Sequence, residues 1–156
     1  MNVYSRFGGK EGVVEALLIE GFEQLGAAMH AVPTTDDTIA DLEQCSRAYR
    51  EFALTHRTHY ELMFGRRDPG YTKSEKAMDP ARAALGMLAA RIKRAMDAGA
   101  LRISDPHEAA TVFWAACHGP VSLEIEAVGP PEADWAGVHR HLLAALIAGL
   151  RTASAD

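Results

Sequence analysis

Apolar side chains recur at three- and four-residue spacing along most of this chain. Between Lys10 and about Ala31 the stripe is Val14, Leu18, Phe22, Leu25 and Met29, which predicts one helix with a single buried face. Pro33 to Asp37 is rich in capping residues. Ile39, Leu42, Cys45, Tyr49, Phe52 and His56 then repeat the period, predicting a second helix over about 37–56. Tyr60, Leu62, Met63 and Phe64 make a short aromatic-rich helical piece, closed by the breakers between Gly65 and Gly70. Asp79 followed by Pro80 reads as an N-cap and a first helical position, with Leu85, Leu88, Ile92 and Met96 down one face and Gly99 as the C-terminal cap. Asp105, Pro106 and Glu108 form the clearest start in the chain, in the manner of a capping box. The helix they open runs through Phe113 and Trp114 towards Ala127. A kink is expected between Ala116 and Pro120, because proline brings no amide proton and crowds the preceding turn. Gly129, Pro130 and Pro131 end it, and a last helix over about 132–153 carries Trp135, Val138, Leu142, Ala145 and Leu150 on one side. No segment shows a convincing strand pattern, so the fold class is all-α.

Composition narrows the picture. With 156 residues, 48% of them hydrophobic, the chain can bury one sizeable core, and no second composition regime marks another independent domain. No run approaches the roughly 18 apolar residues of a membrane span, and the first residues lack the basic and apolar regions of a secretion signal, so a cytoplasmic protein without a membrane partner is expected. Cys45 and Cys117 fit neither a CxxC pair nor a metal spacing and read as buried free thiols. Of the net charge of −5, the first ten residues contribute Arg6 and Lys10 and no acid, which leaves −7 on residues 11–156. Most of the chain should therefore repel phosphates, and any contact with DNA belongs to the N-terminal tip.

Two blocks resemble a known family. Tyr4, Phe7, Gly8-Gly9 and Lys10-Glu11 follow the order of the segment that closes the helix-turn-helix of the tetracycline-repressor (TetR) family of bacterial regulators. Tyr49 to Phe64 and Trp114 to Glu124 resemble the C-terminal domain of a TetR subfamily marked by Trp-His-Gly residues, here Trp114, His118 and Gly119. Asp97 to Leu101 and Asp105-Pro106 echo the same pattern, whereas Pro120 stands where the subfamily more often carries an aliphatic residue. The resemblance implies a remnant of the DNA-binding domain at residues 1–10 and a TetR-like helical effector-binding and dimerisation domain at 11–156. It also implies that Tyr4 and Lys10 contact DNA phosphates without reading bases, with Arg6 as a candidate third contact; the alternative is that Tyr4 and Phe7 pack the start of the domain while Arg6 and Lys10 are solvated surface charges. The base-reading helices of the module would lie outside these residues, so this chain alone is expected not to read an operator. The implied function is a ligand-responsive transcriptional regulator, in the default sense a repressor, that binds operator DNA as a homodimer and is released by a small molecule. The alternative is a stand-alone helical ligand-binding or dimerisation module without DNA binding.

The family's effector cavity has candidate lining in Tyr49, Phe52, His56, Tyr60, Met63, Met87, Arg91, Phe113, Trp114, Cys117 and His118, aromatic and soft residues with a few polar heads. The same set also suits a plain core; His118 stands out because an imidazole within an apolar helix must find a partner. Leu123, Trp135, Leu142, Ala145, Leu146, Gly149 and Leu150 are the candidate dimer residues, small side chains permitting close helix approach and leucines supplying area. His56 and His59 are three apart on a helix, but no carboxylate or second cysteine stands at ligand spacing, so no metal and no cofactor are expected. Ser122 lies one turn from His118 with no acid placed to orient the imidazole, and Glu124 reads as a helix-surface residue, so no enzyme is expected.

Overall fold

The computed structural model describes residues 8–65, 73–102 and 104–152. Tyr4 and Arg6 therefore lie outside the described residues, as do most of the breakers after Gly65. Among the described residues the helices are α1 (Lys10–His30), α2 (Thr38–Thr55), α3 (Arg57–Phe64), α4 (Glu75–Asp97), α5 (Pro106–Ile125) and α6 (Trp135–Leu150). Among the described residues no strand forms, and the protein is all-α.

Side-chain caps fix where four of the helices begin. Asp37 accepts from the amide of Ala40, Ser74 from Ala77, Asp105 from His107 and Asp134 from Gly137, at 2.9 to 3.1 Å. Each satisfies an amide that has no partner within its own helix. Two of these starts differ from the sequence expectation. Helix α4 begins at Glu75, not at Pro80, because Ser74 caps it and Ala77 is fully buried in its first turn. Pro80 is thereby carried inside the helix. Helix α6 begins at Trp135 rather than 132 because the Asp134 carboxylate accepts from the Gly137 amide in its first turn. Its end also comes early, since Arg151 turns extended after Leu150 and pairs with Leu101 in an antiparallel bridge. Helix α5 stops at Ile125, and Ala127 takes a left-handed φ of 52°. It continues through Pro120 as one helix.

Helix α4 packs on α1, α2 and α5, and α6 packs along α5. The core runs through Leu18, Leu25, Leu42, Phe52, Ile92, Phe113, Val121 and Leu143. Close approach is specified locally: a Cβ at Gly21 would lie 2.7 Å from the Met63 sulfur, so any larger residue there would displace the Met63 side chain between α1 and α3. The turn after α1 is held by Arg91, whose buried guanidinium donates to the carbonyls of Met29, Val32 and Pro33. Asp41 organises the following loop by accepting from the amide and hydroxyl of Thr35 and from Arg94. Burial alone would raise the Asp41 pKa, but these donors outweigh it and hold the carboxyl below its ordinary value. No helix among the described residues is long and apolar enough to cross a membrane.

Candidate functional site: an apolar cavity backed by a polar relay

A cavity of about 230 Å³ opens between α1, α2, α3, α4 and α5. Phe22, Leu25 and Met29 wall it from α1, Tyr49 from α2, Phe64 from α3, Trp114 from α5, and Met78, Ala81, Ala84, Leu85 and Leu88 from α4. The space exists because Ala81 and Ala84 stop short of the aromatic rings across from them. Lys73 and Arg82 are the charged lining residues among those described, and no acid is among them.

Behind Tyr49 and Trp114 lies a chain of hydrogen bonds. The Trp114 indole N–H donates to the Tyr49 hydroxyl at 3.3 Å, which meets the Tyr60 hydroxyl at 2.8 Å. Tyr60 is 2.6 Å from His118 Nδ1, and Ser122 Oγ is 3.0 Å from Nε2. The donors and acceptors close in one direction: Trp114 to Tyr49, Tyr49 to Tyr60, Tyr60 to Nδ1, and Nε2–H to Ser122. That assignment requires a neutral imidazole with its proton on Nε2. Desolvation pushes the His118 pKa down against the opposing charge of Glu126, in agreement with a neutral ring. Burial pushes the phenols the other way, Tyr60 up to about 12 and Tyr49 well above its ordinary value. The relay ends at a smaller hollow of about 120 Å³ bounded by Tyr60, Glu61, Phe64, His118, Ser122 and Glu126. Tyrosine hydroxyls, not a carboxylate, face His118 Nδ1, so Ser122 and His118 do not make a hydrolytic triad.

The sequence-predicted pocket residues divide. Tyr49 and Trp114 line the cavity, and Tyr60 and His118 stand directly behind them. Phe113, Cys117 and Met63 are buried in the core, and Phe52 stacks on His56 at 5.0 Å beside a separate surface depression. Met87 borders an open groove between α1 and α4. Arg91 is committed to the turn after α1 and does not reach the cavity. His59 meets Glu20 at 3.3 Å, and among the described residues no three histidine, cysteine or acidic side chains converge as metal ligands. Glu124 is not a simple surface residue, since it accepts both 2.8 Å bonds from Arg50. The cavity walls on α1 and α4 were read from sequence only as core stripes; the signal available was the run of alanines on the core-facing side of α4.

The proposed dimer residues also divide. Leu123 and Leu142 are 45% and 41% exposed, and Ala145 and Gly149 are exposed with them. Leu146 and Leu150 instead pack partly on the core, and the Trp135 ring lies over Gly129. Val112 and Val138 join the exposed set at 45% and 42%. On α5 the positions 112, 116, 119 and 123, and on α6 the positions 138, 142, 145 and 149, follow the same spacing of four, three and four. Each makes one apolar stripe.

The described residues thus form a helical body around an apolar cavity, with apolar stripes on α5 and α6. Residues 42–146 match the family described as tetracyclin repressor-like, C-terminal domain. The chain belongs to that family. A protein of unknown function from Rhodococcus sp. RHA1 shares its fold with a TM-score of 0.82 at 24% identity, the match covering 94% of this chain and 77% of the other. SCO4313, a protein provisionally described as regulatory, gives 0.74 at 21% identity, covering 93% and 77%. At these identities the likeness is one of fold. No curated protein matches the sequence.

Proposed function

We infer that the chain is the effector-binding and dimerising part of a transcriptional regulator that acts as a homodimer, represses by default and releases its operator when a small molecule fills the cavity. The observation that carries this is the double role of α5. One face of it offers Trp114 to the cavity, and another presents Val112 and Leu123 outward beside the α6 stripe. A molecule seated in the cavity would press on the helix that faces the partner subunit, which is how occupancy could alter the spacing of two DNA-binding modules. Tyr4, Arg6 and Lys10 are assigned to phosphate contacts, with Lys10 at the first position of α1, where free amides favour anions. Base reading is assigned to helices preceding these residues in the family arrangement.

Two measurements test the proposal. Light scattering at micromolar concentration should give twice the 16.9 kDa protomer mass, and Leu142→Arg should return the protomer mass. An electrophoretic shift of the DNA flanking its gene should occur with the complete gene product and not with residues 11–156. A monomeric wild type would count against the dimer. A stable dimer whose complete product never shifts that DNA would instead be a sensing module without DNA binding.

A further inference from the structure

The cavity of about 230 Å³ and the smaller hollow of about 120 Å³ share one side chain in their walls: among the described residues, Phe64 alone borders both. Its ring meets Phe22 and Trp114 of the cavity at centroid distances of 5.6 and 5.9 Å, and Tyr60 and His118 of the hollow at 4.8 Å each. The side chains around it are fastened. Tyr49, Tyr60, Trp114 and His118 are held by the hydrogen bonds of the relay, at 2.6 to 3.3 Å. The phenyl ring of Phe64 has ring contacts instead, and it stands half-buried at the last position of α3, next to Gly65, where the backbone turns extended. Turning that ring to another rotamer breaks no hydrogen bond, whereas moving any of the other four breaks at least one. Phe64 is the part of the wall that can give way.

The polar groups of the larger cavity are already engaged. Arg82 is bonded to Glu75 and Asp79, the Lys73 ammonium donates to the Met63 carbonyl, and the Trp114 N–H is directed at Tyr49. An ion entering there would shed its water without meeting an unengaged counter-charge, which burial makes costly. Taking the cavity as the effector site, we propose that Phe64 is a movable leaf between two compartments of that site, and that the ligand is an uncharged, chain-like molecule longer than the cavity alone admits. Its apolar end lies against Leu85, Leu88 and Trp114, and its polar end passes the displaced ring to reach Tyr60 and Ser122. At water's share of about 30 Å³ per group, the cavity takes roughly eight non-hydrogen atoms and the smaller hollow about four more. Phe64 thereby sets the length of ligand accepted: short chains leave the ring where it is, and longer ones turn it.

Trp114 lines the cavity and Trp135 does not, so the emission of Trp114 in a Trp135→Phe background reports occupancy. The probes are the straight-chain primary alcohols hexanol, octanol, decanol and dodecanol. Affinity is expected to keep rising beyond octanol, with dodecanol bound about tenfold tighter than octanol or better. A crystal structure of the dodecanol complex should show the Phe64 ring in another rotamer and the chain running between the two hollows. Phe64→Ala should raise the ratio of dodecanol to hexanol affinity severalfold, and continued binding of hexanol reports an intact cavity. A gain that ends at octanol in the wild type, or dodecanol bound with the Phe64 ring unturned, overturns the proposal. If hexanol and octanol bind but Phe64→Ala leaves the ratio unchanged, the cavity stands as the ligand site and only the leaf is refuted. If no alcohol changes the emission, the reading of the cavity as an effector site fails together with the proposal.

Discussion

Protonating His118 would reverse the two middle hydrogen bonds of the relay. Nδ1–H would have to donate to Tyr60 and Tyr60 to Tyr49, whose oxygen can still accept from Trp114 but whose own proton is then left without an acceptor in the relay. The imidazole is thus held neutral by the proton count as well as by burial. Tyr60→Phe removes the hydroxyl at 2.6 Å from Nδ1 and leaves a half-buried acceptor with the longer contacts of 3.2 Å from Tyr49 and 3.5 Å from Ser122. A loss of about 1 to 3 kcal/mol is expected, read as a lower urea midpoint with an unchanged slope. The sequence brought Tyr49, Tyr60, Trp114 and His118 to notice as aromatic or polar members of helical stripes. Their bonding could not be read, because it joins residues up to 69 positions apart whose side-chain directions are set only when α2, α3 and α5 pack. For the same reason the buried Ser46–His139 pair at 2.7 Å, across 93 positions, left no local trace.

Helix α4 holds one glycine and is followed closely by another, with opposite consequences. Gly99 follows its last turn with φ 73°, and its amide bonds to Met96 while that of Ala100 reaches back to Ala95. This is the Schellman arrangement, which a side chain at Gly99 would strain. Gly86 sits in the helical interior, where a Cβ would meet nothing within 4 Å. Gly99→Ala should therefore cost about 1 kcal/mol, whereas Gly86→Ala should add roughly 0.5 to 1 kcal/mol, both measured by denaturant titration. Equal signs for the two would contradict this account. The Gly99 end was legible in the sequence, as was the Asp105 start, because each depends on atoms within a few residues. The start of α4 was not. Asp79-Pro80 has the composition of a helix start, yet Ser74 six positions earlier supplies a cap and the buried Ala77 anchors it, so packing extended the helix back past the proline.

For the molecule as a whole, three buried groups bias stability in one direction. Desolvation chiefly lowers the pKa values of His118 and His139, so below about pH 6.5 the unfolded chain takes up protons that the folded chain refuses. Asp41 is held below 3.8, and its contribution, present at higher pH, is lost as the pH falls through the folded value. The melting temperature should be flat from about pH 7 to 8, decline below about 6.5 and fall again below about 4, as calorimetry across that range would record. His139→Leu should shallow the first decline; a melting temperature that rises on acidification from neutral pH would contradict both histidine assignments. The two thiols have a practical consequence. Cys45 and Cys117 are both buried, and desolvation raises the first and pushes the second up to about 12. At neutral pH neither offers thiolate to a maleimide, so a cysteine introduced at exposed Ala148 could carry a spin label without removal of the native pair. The distance between two such labels would then report directly how α6 of one protomer lies against its copy, with and without a molecule in the cavity.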